Sequence, residues 1–376
     1  MKMQMVDLKT QYEKIKDEVN AGIQEVLDTS AFINGPAVKR FQENLERYLD
    51  VKHVIPCANG TDALQIAMMA LDLQPGDEVI TASFTYVATA EVLALLGLKP
   101  VLVEVYPDDF TLNVEAVEAA IGPKTKAIVP VHLFGQGARM NELMHVARKH
   151  NLFVIEDTAQ AIGAKYQLAS GEWKSLGGIG DIGCTSFFPS KNLGCYGDGG
   201  ALYTNDDSLA DRIRMIANHG QKVKYHHEVI GVNSRLDTLQ AAVLDVKLRH
   251  LTDYANARNE AASYYDQHLA GLDDVITPVR NTFSTHVFHQ YTLKIKGGKR
   301  DALKDFLAKA DIPTMVYYPL PLHHQNAFKS EEYPVGCMPI TEQLVKEVLS
   351  LPMHTELQES ELEFVVGKIR EFFEKN

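Results

Sequence analysis

The run NLFVIEDTAQA, residues 151–161, sets the reading of the fold. Its four apolar positions, Leu152, Phe153, Val154 and Ile155, end abruptly in two acids, Glu156 and Asp157, and then in a polar turn. A strand without polar–apolar alternation is one covered on both faces, as in a parallel sheet packed between helices. On either side the same kind of run recurs. DEVITAS (77–83), PVLVEVY (100–106) and KAIVPVHLF (126–134) precede it, and CTSFF (184–188) and GALYTN (200–205) follow. Helical patterns separate several of them. In Thr61–Leu73 the residues Leu64, Ala67, Met68 and Leu71 fall at the spacing of a single buried stripe. VEAVEAAI (114–121) and MNELMHVARKH (140–150) read likewise. Strand–helix alternation over 54–204 predicts an α/β fold with a mainly parallel sheet between two layers of helices.

Beyond that region the pattern changes. Residues 237–272 read as one long connecting helix. FHQYTLKIK (288–296) and TMVYYPL (314–320) are strand-like, while DALKDFLAKA, TEQLVKEVLS and ESELEFVVGKIREFF are helical. The expected division is a large α/β unit over 1–249, with an N-terminal segment, and a smaller α+β unit over 250–376.

Bulk properties narrow the function. With 376 residues, 45% hydrophobic and 23% charged, the chain can bury a large core. Lys and Arg number 37 against 49 Asp and Glu, a net charge of −12, which argues against a nucleic-acid binder. Cys57, Cys184, Cys195 and Cys337 are scattered without C-x-x-C spacing, as in a reducing, cytoplasmic setting. The start, MKMQMVDLKTQY, has no apolar signal core, and no window approaches a membrane span. The pairs His226-His227 and His323-His324 are adjacent, not four apart as on a metalloprotease helix, so no metal site is expected.

Three segments carry the chemistry. Asp157 stands at the carboxyl end of a strand, where ligands of open parallel sheets gather. By itself it also reads as a helix N-cap. Lys191 lies in SFFPSKNLGCYGDGGAL, a glycine-rich loop just past another strand. A lysine there suits Schiff-base chemistry, although alone it reads as a solvated loop residue. In ANGTDALQ (58–65), Gly60 and Thr61 open a helix whose unpaired N–H groups can hold a phosphate. Together they offer what pyridoxal 5′-phosphate (PLP) needs: an amine for the aldehyde, a carboxylate for the pyridine nitrogen and a cradle for the phosphate. The competing motif Gly178-Ile-Gly180-Asp-Ile-Gly183 matches GxGxxG but leads into a strand instead of a helix, so it does not mark a dinucleotide site.

At these residues the sequence resembles the DegT/DnrJ/StrS sugar-nucleotide aminotransferases, which have PLP fold type I with a seven-stranded sheet. CANGTDAL, SFTYVATAE, VIEDTAQAIGA, SFFPSKNLGCYGDGGA and GVNSRLDTLQAA carry the resemblance, which runs from VDLKTQY through INGPAVKRF to LPMHTEL. It implies Lys191 as the Schiff-base lysine and proton shuttle, and Asp157 as the partner of the pyridine nitrogen. Gln160 would bond the ring oxygen and Tyr86 would stack on the ring. Gly60, Thr61 and Ser186 would hold the phosphate, joined by Asn233 of a neighbouring subunit in at least a homodimer. Within the family the sequence is most similar to UDP-2-acetamido-2-deoxy-3-oxo-glucuronate aminotransferases, with L-glutamate as amino donor and O-antigen-type glycans as destination. Matching positions imply substrate contacts from Ser30, Phe32, Ser190, Arg235, Tyr317 and Tyr318. Arg235 could clamp a uronate carboxylate. Tyr317-Tyr318-Pro319 departs from the His-Tyr-Pro expected there and leaves a dTDP-3-oxo-6-deoxyhexose open as substrate. A PLP-fold dehydratase would replace the lysine, and a non-catalytic regulator would not need the intact set.

Overall fold

The computed structural model describes residues 3–375. Two helices, α1 (Leu8–Thr29) and α2 (Pro36–Leu49), precede the sheet. Then follow β1 (His53–Cys57), α3 (Gly60–Ala70), β2 (Glu78–Ala82), α4 (Ala88–Leu95), β3 (Lys99–Val103), α5 (Val114–Ala120), β4 (Thr125–Val129), α6 (Met140–His150) and β5 (Phe153–Asp157). A short hairpin of β6 (Lys165–Gln167) and β7 (Trp173–Ser175) leads to β8 (Ile182–Ser186), β9 (Gly200–Thr204) and α7 (Asp207–Ala217). A second hairpin, β10 (Gln221–Val223) with β11 (His226–His227), precedes α8 (Thr238–Leu248) and α9 (Leu251–Leu269). The remainder is β12 (Val275–Ile276), β13 (Tyr291–Ile295), α10 (Arg300–Lys309), α11 (Pro339–Glu347), β14 (Val348–Leu351) and α12 (Glu359–Lys375).

Seven strands form one sheet in the order β1-β9-β8-β5-β4-β2-β3. The β3, β2, β4, β5 and β8 pairings are parallel, while β9 runs against both β8 and β1. The α/β expectation therefore holds, with a single reversed strand. One apolar layer packs Ile80, Val103, Ile128 and Val154 against α6; the opposite layer packs Val79, Val129, Ile155 and Leu202 against α3. The stripe Leu64, Ala67, Met68 and Leu71 is buried as its spacing requires. A separate three-stranded sheet, β12-β13-β14, has its own apolar layer with α9, α10 and α12.

The structure corrects several boundaries. The helix expected over 237–272 is two helices, because the chain serves two cores. α8 is buried almost all round, whereas α9 buries Tyr254, Arg258, Ala261, Tyr265 and Leu269 on one side. TMVYYPL is not a strand. Only Met315 makes a bridge, to Ser350, and the nearby Pro313 and Pro319 cannot donate to a ladder. The end of TEQLVKEVLS leaves its helix at Glu347 and becomes β14, where Val348, Leu349 and Leu351 are fully buried against β13. Strand β1 was not anticipated; its Pro56 masked an otherwise apolar run. No helix among the described residues is long and apolar enough to cross a membrane.

Candidate active site

The chemistry-bearing segments leave the sheet at one edge. β1 ends at Cys57 before α3, β2 at Ala82 before Tyr86, β5 at Asp157, and β8 at Ser186 before Lys191. Strand β9 enters between β1 and β8, and Gly200 pairs with both Cys57 and Ser186. A Cβ on Gly200 would lie 2.4 Å from the Asn59 carbonyl carbon, and one on Gly60 would lie 2.6 Å from Cβ of Ser186. These two glycines let the start of α3 close on Ser186. The Asn59 side chain caps α3 by accepting from the Asp62 N–H at 2.8 Å. The N–H groups of Gly60 and Thr61 are thereby left to face an anion. Ser234 Oγ accepts from the Ala58 N–H at 3.0 Å, tying the segment holding Asn233 and Arg235 to the same cradle.

Asp157 is 6% exposed. One oxygen accepts from Thr89 Oγ1 at 2.9 Å and the other from the Ala159 N–H at 3.1 Å. A carboxylate has about four acceptor positions, so two remain for a ligand. Lys191 follows in the loop after β8, fixed by its N–H to the Phe188 carbonyl at 2.8 Å. Its Nζ has no hydrogen-bond partner among the described residues. Burial pushes the Lys191 pKa down to about 8, against the opposing pull of Asp157. The amine is therefore far more available at neutral pH than an ordinary lysine.

Gln160 is held at both ends. Its Oε1 accepts from the Phe134 N–H at 2.7 Å, and its Nε2 donates to Tyr318 Oη at 3.1 Å, leaving one N–H free. Tyr86 is 58% exposed, with its ring 6.4 Å from that of Tyr318. Tyr317 and Ser190 are half-buried. Asn233 is exposed and Arg235 half-buried; Arg235 makes no ion pair among the described residues. Ser30 and Phe32 are exposed, and the Phe32 carbonyl accepts from the Thr238 N–H at the start of α8 at 3.1 Å. No hydrogen bond, ion pair or ring contact joins these two to Lys191 among the described residues.

Sequence reasoning missed several supports. Thr89, inside the apolar helix α4, orients Asp157. His289 is 6% exposed and its Nδ1 has no partner. Burial, with the charges of Lys191 and Arg258, drives its pKa well below the ordinary histidine value, so it is neutral. Glu156, fully buried on the far side of β5 from Asp157, accepts from the N–H groups of Gly177, Ile179 and Gly180 at 2.7–2.8 Å. The GxGxxG-like loop is thus a nest for this carboxylate, with no ligand phosphate involved. His132 Nδ1 accepts from the Ala138 N–H, so Nε2 carries the proton and donates to Glu156 at 3.0 Å. Burial raises the Glu156 pKa, but His132 and the nest outweigh it and hold the group below the usual carboxylate range. Two adjacent acids in an apolar strand, pointing to opposite faces, were the available signal.

A free amine, an oriented carboxylate and a free helix N-terminus backed by Ser186 match the aldehyde, ring nitrogen and phosphate of PLP. The close approach at Gly60 brings the start of α3 against Ser186, so the helix N–H groups and the serine hydroxyl lie together. A family model for DegT/DnrJ/EryC1/StrS aminotransferases matches residues 13–370. The chain belongs to this family. It is a PLP-dependent sugar aminotransferase. A protein of Geobacillus stearothermophilus named pleiotropic regulatory protein is 49% identical over 375 residues, covering 99% of each chain. The UDP-2-acetamido-2-deoxy-3-oxo-D-glucuronate aminotransferase of Pseudomonas aeruginosa is 46% identical over 367 residues, covering 98% of this chain and 99% of that one. The crystal structure of S. venezuelae DesV in complex with a ketimine intermediate superposes with a TM-score of 0.95 at 39% identity, covering 99% of each chain.

Proposed function

We propose that this aminotransferase carries the amino group of L-glutamate to C3 of UDP-2-acetamido-2-deoxy-3-oxo-D-glucuronate. It works as a cytoplasmic homodimer, in the making of a surface glycan of the O-antigen kind. The observation that carries the reading is the half-buried, unpartnered Lys191 amine within the electrostatic reach of Asp157, with its pKa lowered to about 8. When bound, PLP supplies an electron sink for negative charge developing at the substrate carbon. Lys191 Nζ takes a proton from the α-carbon of glutamate and, in the second half-reaction, returns one to C3 of the sugar. Asp157, held by Thr89, keeps a proton on the pyridine nitrogen. The Gly60 and Thr61 N–H groups and Ser186 anchor the phosphate, with Asn233 reaching across from the second subunit. Tyr86 covers the ring face, and the spare N–H of Gln160 meets the ring oxygen. Arg235, with no carboxylate of its own, is the choice for the uronate; Ser30, Phe32, Ser190, Tyr317 and Tyr318 border the sugar.

A second reading is favoured by one residue. Tyr317 stands where a histidine would add positive charge, so a dTDP-3-oxo-6-deoxyhexose, whose sugar ring carries no carboxylate, is the competing acceptor. A regulatory role without turnover, suggested by the name of the Geobacillus relative, leaves the intact Lys191–Asp157 set without a purpose. The deciding experiment supplies 15N-labelled L-glutamate with each acceptor and follows label into the sugar by mass spectrometry. Label on the uronate supports the first reading. Label only on the deoxyhexose transfers the assignment to the second, and label on neither removes both.

A further inference from the structure

Away from the PLP cradle, three potential metal ligands, His323, Cys337 and Glu342, converge where the chain crosses the end of β2, and His324 lies beside them with its Nε2 3.8 Å from Glu342. His323 and His324 form a short 3-10 turn, Leu322–His324, with their rings 4.2 Å apart. Both Nε2 atoms point at one oxygen of Glu342, at 3.5 Å and 3.8 Å. Neither Nε2 has a hydrogen-bond partner. His323 is fully buried, so its bare nitrogen costs on the order of 1–3 kcal/mol unless something fills the gap. Cys337 supplies the third donor of the converging set. One ligand atom each from His323, Cys337 and Glu342 lies within 4.8 Å of the others.

The surroundings orient these atoms as outer partners orient ligands in metal sites. His323 Nδ1 contacts Ser83 Oγ at 2.5 Å, a pair in which either atom can donate, and the Nδ1–H tautomer is the one that would leave Nε2 bare for a metal. The same Glu342 oxygen accepts from the Gly336 N–H at 2.7 Å, fixing the carboxylate. The adjacency of the two histidines in sequence gives no hint of this, because the other two donors arrive from beyond an irregular loop.

We propose that His323, His324, Cys337 and Glu342 form a structural Zn2+ site. Two imidazoles, a thiolate and a carboxylate make a donor set for four-coordinate zinc, and the softness of the thiolate disfavours magnesium and calcium. Bound there, the ion would clip the 321–342 segment to Ser83, three residues before Tyr86. It would hold the loop bordering the active site and take no part in amine transfer.

The test is made on chelator-treated, PLP-loaded enzyme titrated with Zn2+ or Co2+ alone. One zinc per chain by elemental analysis is expected, and a thiolate-to-cobalt charge-transfer band in the near ultraviolet. Cys337→Ser and His324→Ala should each weaken the affinity about 10- to 100-fold, and Cys337→Ser should abolish the band. Cys337 is exposed and His324 half-buried, and the folding of each variant is verified by circular dichroism. Zinc that binds equally well to both variants, or cobalt without a thiolate band, would overturn the proposal, as would no zinc retained at micromolar concentration.

Discussion

The two halves of the catalytic cleft are built differently. On the cofactor side the groups are fixed before any ligand arrives: Asp157 by Thr89 and a backbone N–H, Gln160 at both ends, Lys191 by its loop. On the proposed substrate side Ser30 and Phe32 are exposed, and Arg235 has no anionic partner among the described residues. Cofactor chemistry requires placement to a fraction of an ångström, and rigid strand ends supply it. In the proposed function substrate selection would be completed by a second copy of the chain and by the substrate itself, and those residues sit on loops and element termini. Substitutions on the cofactor side should therefore strike both half-reactions, and those on the substrate side only the sugar half.

The largest effect is expected at Lys191. Lys191→Ala should lower turnover on the order of 10⁴-fold in each half-reaction, the upper range for a positioned proton carrier. Single-turnover kinetics with glutamate alone, then with sugar alone, would read it; a loss confined to one half would break the comparison. Asp157→Asn should cost on the order of 10²–10³-fold, again in both halves, as for removal of a preorganised electrostatic group. Cofactor uptake by the apo protein gives a pH test. With the Lys191 pKa lowered to about 8, the neutral amine accumulates as pH rises through 8. Uptake should rise across that interval, two to three pH units lower than for an ordinary lysine; an unchanged rate from pH 7 to 9 would contradict the shift.

Legibility in the sequence followed the same division. Asp157, Lys191 and the Gly60–Thr61 turn could be read because strand ends and helix starts leave local signatures. The segment around Tyr317 was misread as a strand, since apolar residues between two prolines look the same in strand and loop. Long-range supports were invisible: Thr89 lies 68 positions from the acid it orients. The purpose of the glycines at 177–183, a nest for Glu156, required the fold to be seen. Because the Glu156 pKa is lowered in the folded state, its contribution to stability is present above the unfolded carboxylate pKa and fades as pH falls through the folded value. Glu156→Gln should flatten that acid limb in a urea-midpoint titration and cost about 1–3 kcal/mol at pH 7.

On the substrate side, Arg235→Leu should raise KM for the uronate by about tenfold or more. That corresponds to the loss of a charge-assisted hydrogen bond worth about 1.5–3 kcal/mol. The glutamate half-reaction should be unchanged. Equal damage to both halves would place Arg235 in the phosphate cradle or the subunit interface, away from the sugar.

The smallest effect, and the sharpest for specificity, is expected at Tyr317. A tyrosine at this position offers one O–H donor and no charge near neutral pH. Its burial pushes the phenol pKa upward, so it cannot ionise to repel a carboxylate either. Tyr317→His would place a group there that gains charge as pH falls. If the uronate carboxylate sits beside this residue, the variant should bind it a few-fold more tightly at pH 6 than at pH 8, because an exposed charge pair is worth about 0.2–1 kcal/mol. Wild type should lack that pH dependence. A neutral deoxyhexose should be indifferent to the change at either pH. Improvement with the uronate in this variant, beside weak wild-type use of it, would mean that the tyrosine marks a shift away from charged sugars. No change for either substrate would move the carboxylate to Arg235 alone and leave the segment around Tyr317 as a wall of the cleft.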